Sequence, residues 1–406
     1  MGPSTSADAT VTAPERLHIA FVSDCLDIGN TGGVISAHRF AEHLAHEHEL
    51  FVIGTAAKGF ACVPMVPLRL PIKRYTEMGF VFAKPNRPRI AQALAHADIV
   101  HLQFPFWLSF VALDEAKKLG KPVVAAMHVQ PENFLFNVGL HSPYLAGKMY
   151  DYAVQFLYNK VDAVICPTDF AADKLRAHGL TTPAHIISNG YSANLETGRF
   201  TRDPADTGFF QIVCIGRYSW DKRQDVLIDA ARRSRHADRI KLVIGGAGPR
   251  EAELRARAEG LPHAPEFGYL TQSRMRQVLN TADLFVHCGE VELEGMSVLD
   301  SMSVGLPTII AESSESAASR FALDDRFAFP AGDSAVLAQR IDMWIDNVEA
   351  LHAARQSTRD FAHQFEFTKN ADKLSGIYRD LVARSKANRQ AGSSSLFSTS
   401  GLAEAS

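Results

Sequence analysis

The chain has 406 residues, too many for one ordinary domain and enough for two of about 150–200 each. It is 46% hydrophobic and 21% charged, the balance of a globular protein rather than a disordered or fibrous one. Its 42 Lys and Arg against 45 Asp and Glu leave a net charge of −3, which gives no electrostatic footprint for a nucleic-acid binder.

The 5 cysteines (Cys25, Cys62, Cys166, Cys214, Cys288) are scattered, odd in number and form no CxxC. They read as reduced core thiols, not as a disulfide or zinc framework. No apolar run reaches bilayer length, and the polar start is unlike a signal peptide, so a cytoplasmic protein is expected.

Residues 1–16 and 387–406 read as a disordered leader and tail. Between them, short apolar runs alternate with helical patterns, twice over. LHIAFVSD is a buried-strand pattern ending at Asp24, followed by a Gly-bearing loop and a helix from about Val34 to Ala45. His38, His43, His46 and His48 crowd that helix without sharing one face, which predicts a surface helix rather than a metal site. ELFVIG, ADIVHLQ, KPVVAAMH and VDAVICPT are further strands, and PAHIISNG closes the first half. The second half restarts with FFQIVCIGR (strand), DVLIDAARRSR (helix), IKLVIGG (strand) and REAELRARAEG (helix). Strands apolar throughout and linked by helices predict parallel sheets covered on both faces. The expected division is 17–190, a polar hinge at 191–208, 209–365, and a last helix at 366–386. Two doubly wound α/β domains so joined put a ligand cleft between their strand carboxyl ends.

Five segments carry candidate chemistry. In GRYSWDKRQDVLI, Gly216, Arg217 and Lys222 follow a strand; two cations there suit a diphosphate, or form a solvated basic loop. In VIGGAGPRE, the glycines around Gly246 let backbone N–H groups approach a phosphate, or make a tight turn; Glu251 breaks the dinucleotide fingerprint. In EVELEGMSVLDSMSVGLP, Glu292 and Asp300 flank Gly295, Met296 and Ser297 at a helix start. That suits an anionic, hydroxyl-bearing ligand, or an acidic loop with a helix cap. His128 ends a strand beside Gln130, Glu132 and Asn133 and is a site residue or a core histidine. Gly32 and Gly33 open the first long helix, where a loop can run close to a ligand.

Together these segments resemble the family-4 retaining glycosyltransferases of the GT-B fold, over roughly residues 17–385. The acidic motif of that family reads Glu, seven residues, Glu. Here Asp300 replaces the second Glu, and Glu294 replaces the usual Phe. The resemblance implies two Rossmann-like domains facing a cleft, with the last helix crossing back to the first domain. It implies that Arg217 and Lys222 bind a donor diphosphate, Glu292 the donor sugar and Asp300 the ribose. It places His128 beside the transferred sugar, and Gly32, Gly33 and the N–H groups of Gly295, Met296 and Ser297 around the phosphates. It implies a metal-independent hexosyltransferase without a cofactor, using a uridine-linked donor. HVQPEN, GGVISAHRFAEHL and ESSESAASRFAL look like a bacterial subgroup described as diacylglycerol glucosyltransferase-like, hence a lipid or glycan acceptor. A basic group (Arg69, Lys73, Arg74, Lys84, Arg87, Arg89) among aromatics suits anionic head groups at the membrane's cytoplasmic face, or is a solvated face. An epimerase of the same fold and a non-catalytic sugar-nucleotide binder are the competing readings.

Overall fold

The computed structural model describes residues 15–26, 32–68, 80–192, 194–195 and 199–398, with side chains as far as 391. The expected leader falls almost entirely outside these residues, as do Arg69, Lys73 and Arg74.

The first half is built on nine strands: β1 (His18–Val22), β2 (Glu49–Gly54), β3 (Ala61–Pro64), β4 (Val66–Leu68), β5 (Phe82–Lys84), β6 (Ile99–Leu102), β7 (Val123–Ala126), β8 (Ala163–Cys166) and β9 (Ala184–Ile186). Seven form a parallel sheet in the order β3-β2-β1-β6-β7-β8-β9, and β4 pairs with β5 in a separate antiparallel ribbon. Strands β6, β7 and β8 are buried at every residue, as central strands covered on both faces must be. Helices α1 (Gly32–Glu47), α2 (Arg87–Ala95), α3 (Trp107–Lys118), α4 (Pro131–Asn137), α5 (Pro143–Phe156) and α6 (Asp169–Ala177) accompany this sheet.

The second half has six parallel strands: β10 (Phe210–Ile215), β11 (Ile240–Gly245), β12 (Glu266–Gly268), β13 (Leu284–His287), β14 (Thr308–Glu312) and β15 (Ala328–Pro330). Their order is β12-β11-β10-β13-β14-β15, so the topological switch lies at β10, where Arg217 follows. Its helices are α7 (Gln224–Arg233), α8 (Glu251–Ala258), α9 (Gln272–Thr281), α10 (Met296–Ser303), α11 (Ser334–Asp346) and α12 (Val348–Ala362). Each sheet separates two apolar clusters, one per face. This is the doubly wound pair expected from the sequence.

The last helix, α13 (Phe367–Ser398), returns to the first half, where Ala371, Leu374, Tyr378 and Val382 complete a core shared with Phe21, Ala37 and Leu44. It continues past residue 386, so the segment expected to be a disordered tail begins as helix. Two of the four histidines, His43 and His48 just past the end of α1, also differ from expectation, while His46 is exposed. His48 is buried, with Nε2 2.8 Å from Ser375 Oγ, and His43 Nε2 lies 3.0 Å from Asp372 Oδ1. The face read as solvent-exposed is partly the seat of α13, a partner too distant in sequence for a local pattern to reveal. Among the described residues no helix is long and apolar enough to cross a membrane. Arg87, one of the basic group, is neutralised by Asp114 and Glu115.

Candidate functional site

Two loops of the second half press together at the switch point. Gly216 N–H donates to the Gly245 carbonyl at 3.0 Å, Tyr218 N–H to the Ala247 carbonyl at 2.9 Å, and Gly246 N–H to the Gly268 carbonyl at 2.8 Å. A Cβ on Gly246 would stand 2.0 Å from the Gly216 carbonyl oxygen, so only glycine fits. The N–H of Gly246, expected at a phosphate, is spent on Gly268 of β12, and that of Gly216 on Gly245, so both glycines stand as walls of the site.

The joint holds two cations. The Arg217 guanidinium is half-buried and has no hydrogen bond or ion pair among the described residues. Lys222 is fixed: its Nζ lies 2.6 Å from Glu292 Oε1 and 2.9 Å from Asp221 Oδ2. Burial alone would lower the lysine's pKa, but the Asp221 and Glu292 charges outweigh it and raise it. Burial would raise Asp221, yet Lys222, Arg217 and the Ser219 hydroxyl (2.6 Å) hold it near 2. Asp221 also accepts from Asn133 Nδ2 of the first half at 2.8 Å. Sequence reasoning missed this hub. Its one local signal was an acid placed directly before Lys222.

The acidic loop enters from the other side. Glu292 takes Lys222 on Oε1, and its backbone is pinned by Glu315 (3.1 Å) and Ala317 (2.8 Å). His287, buried at the end of β13, has its pKa pushed down to about 4 by burial and stays neutral 3.6 Å from Glu292. Gly295 adopts φ +93° to start α10, a left-handed conformation that favours glycine. No hydrogen bond among the described residues occupies the N–H groups of Gly295, Met296 or Ser297.

The first half supplies the opposite wall. A Cβ on Gly33 would meet His128 Cβ at 2.9 Å, and one on Gly32 would stand 3.9 Å from Met296 Sδ. The N-termini of α1 and α10 therefore face each other across the cleft, two positive dipole ends whose first N–H groups have no hydrogen bond among the described residues. His128 Nε2 donates to Gln103 Oε1 at 3.1 Å, and burial lowers its pKa to about 4, so the ring is neutral. The residues following His128 tie the halves together. Gln130 Nε2 donates to the Glu315 carbonyl (2.9 Å), and Asn133 reaches Asp221. Thr168 Oγ1 donates to the Leu293 carbonyl at 2.8 Å.

Asp300 and Glu294 stand apart from this group. Asp300 Oδ1 accepts from Ser192 N–H at 2.6 Å, so the carboxylate expected on a ribose holds the hinge here. Glu294, 2% exposed, accepts from the Ser188 hydroxyl (2.5 Å) and Asn189 N–H (3.0 Å). Arg39 of α1 donates to the Gly190 carbonyl at 3.3 Å and to that of Tyr191. The chain crossing between the halves is thus clamped by an arginine of the first and two acids of the second. Burial raises both acids' pKa, Glu294 to about 7, against the pull of hydrogen-bond donors and the Arg39 charge. The two departures from the family pattern meet at one place.

Residues 30–195 match the family described as Glycosyltransferase Family 4, and residues 200–361 match Glycosyl transferases group 1. Alpha-monoglucosyldiacylglycerol synthase of Streptococcus pneumoniae is 26% identical over 230 residues, 52% of this chain and 51% of that protein. The chain thus spans about half the length of that relative. GDP-mannose-dependent alpha-mannosyltransferase of Corynebacterium glutamicum is 27% identical over 314 residues, 72% of each chain. The crystal structure of Anabaena HepE in complex with UDP-glucose superposes with a TM-score of 0.71 at 16% identity, covering 90% of this chain and 100% of that one. The last likeness concerns the fold alone.

Proposed function

The chain belongs to the family-4 glycosyltransferases of the GT-B fold, and from that membership we propose that it moves a hexose from a nucleotide-diphosphate sugar to a hydroxyl of a lipid or glycan acceptor. The observation that carries this reading is the meeting, at one cleft, of the unpaired Arg217, the Lys222–Glu292 pair and two opposed helix N-termini.

In this reading negative charge develops on the diphosphate as its bond to the sugar lengthens. Arg217, Lys222 and the N–H groups of Gly295, Met296 and Ser297 offset that charge. Glu292, oriented by Lys222, accepts hydrogen bonds from the sugar's hydroxyls. His128 lies beside the sugar as a neutral hydrogen-bonding ring. Asp300 takes a ribose hydroxyl in exchange for the Ser192 N–H. The reaction retains configuration, with the acceptor entering on the face the leaving group departs from. Cationic side chains do the neutralising, without a resident metal. The base is uridine. The mannosyltransferase relative's GDP-mannose makes guanosine the competing choice.

The test is incubation with UDP- and GDP-sugars without acceptor, with and without chelator, reading nucleoside diphosphate release. Release from one donor, indifferent to chelator and lost in Arg217→Ala, supports the reading. An altered sugar still joined to its nucleotide would mean an epimerase. Absence of binding to every donor by calorimetry would overturn the proposal.

A further inference from the structure

We propose that the pocket at the carboxyl end of β1 is the acceptor site, taking an alcohol with an apolar body whose hydroxyl bonds to Asp24. The proposal rests on the transferase reading and names its second substrate class.

The pocket has a volume of about 460 Å³, within the range of roughly 300–1,000 Å³ typical of small-molecule sites. Phe82, Phe106, Phe110, Trp107 and Tyr152 supply most of its wall. Trp107 and Tyr152 are 53% and 55% exposed, an unusual outlay of aromatic surface to water. Asp24, 1% exposed, is also among the lining residues. Its Oδ1 accepts from Ala83 N–H at 2.9 Å, while its Oδ2 has no partner among the described residues. Buried carboxyl oxygens are rarely left unpaired, because each forfeits its bonds to water. Burial pushes the Asp24 pKa up to about 7, so the group sits near its midpoint at neutral pH.

The chemistry of the wall selects the ligand. A sugar presents hydroxyls on every side and needs several fixed polar partners. The lining of this pocket sets one buried carboxyl among aromatic rings, which fits an apolar body carrying one hydroxyl. Its position suits transfer. Strands β1 and β7 end on the same edge of one sheet, so Asp24 and His128 share that edge. Phe106, Phe80 and Phe104 form a chain of ring contacts from the pocket to His128, the last pair 5.8 Å apart.

The probes are 1-octanol and 1-methoxyoctane, which share an apolar body but differ in the O–H. Binding is read by calorimetry at pH 8, where Asp24 is mostly a carboxylate and only accepts. Wild type is expected to bind the alcohol at least fivefold more tightly. In Asp24→Asn the amide turns its NH₂ toward the pocket, which serves either oxygen, so the preference disappears. Trp107→Ala, at an exposed position that does not threaten folding, weakens both ligands. In the second arm, a donor that the wild type hydrolyses is added with 1-octanol, and the octyl glycoside is expected to form. Equal binding of the two probes, no binding of either, or a preference that survives Asp24→Asn would overturn the proposal. So would 1-octanol that binds yet is not glycosylated while the donor is hydrolysed. If no donor is hydrolysed, the donor that binds is used in the second arm; if none binds, the transferase reading falls and the alcohol-binding arm still decides the pocket.

Discussion

Replacing Glu294 with Gln isolates one buried proton. The carboxyl accepts from Ser188 and Asn189 and feels the charge of Arg39. Burial disfavours the charged carboxylate by more than Ser188, Asn189 and Arg39 favour it, and retaining a proton relieves that cost. The pKa of Glu294 rises from an ordinary 4.5 to about 7 in the fold. The folded state therefore binds the proton more tightly than the unfolded chain does. The resulting stability is full below pH 4.5 and is lost as the pH climbs through 7. A displacement of that size ties roughly 3 kcal/mol to pH, of which about 2–3 kcal/mol falls between pH 5 and pH 8. Gln keeps an acceptor for Asn189 N–H and an amide for Ser188 Oγ, but it cannot titrate. Urea midpoints of wild type and Glu294→Gln, measured from pH 5 to 8, cancel every other titrating group to first order. The wild type should lose stability relative to the variant by that amount across the range. Parallel curves would refute the argument and show that Glu294 is ionised in the fold throughout.

Three further outcomes separate chemistry from scaffolding. Arg217→Ala removes a cation that meets Asp221 through its charge and has no hydrogen bond or ion pair among the described residues, so stability should fall by less than about 1 kcal/mol while nucleoside diphosphate release falls on the order of 100-fold; thermal melts and initial rates check this. Lys222→Met strands Asp221 and Glu292, so it should lower stability by roughly 3–5 kcal/mol as well as activity, and an unchanged melting temperature would contradict the pairing described. Gly33→Ala places a methyl 2.9 Å from His128 Cβ; the start of α1 must then move, and donor hydrolysis should drop although alanine favours a helix, whereas wild-type rates would show that the approach of α1 to His128 does not matter.

The sheets were legible because their central strands are apolar at every residue and the helices between them keep one apolar face. ADIVHLQ, KPVVAAMH and VDAVICPT could be little else. Arg217, Lys222 and His128 were singled out because each follows a strand, and Glu292 because it stands in an acidic motif before a helix; the structure brings Lys222 and Glu292 together. What stayed hidden depends on partners distant in the chain. Asp221 matters because Asn133 reaches it from the other half. Asp24 draws attention because its second oxygen has no partner among the described residues. Glu294 and Asp300 looked like defects in a motif until Ser188, Asn189 and Ser192 were seen against them. Gly246 reads as a phosphate turn in one dimension and as a contact with Gly216 in three. The histidines of α1 misled for the same reason, since nothing near them in sequence announces α13.

That last helix has a consequence for how the protein is made. Ala371, Leu374, Tyr378 and Val382 finish the apolar cover over a sheet whose first strand begins at His18. Tyr378 reaches His101 from β6, and Ser375 reaches His48 at the end of α1. A chain emerging from the ribosome has its whole second half in hand before this cover exists. Until residue 382 is out, one face of the earliest-made sheet is covered only in part, by α1, and the half synthesised first is the half completed last. Cutting the chain before Phe367 would leave the second half's core whole and turn the first half into a sticky, chaperone-dependent species. Severing at the hinge gives two unequal products for that reason, although the two sheets look interchangeable.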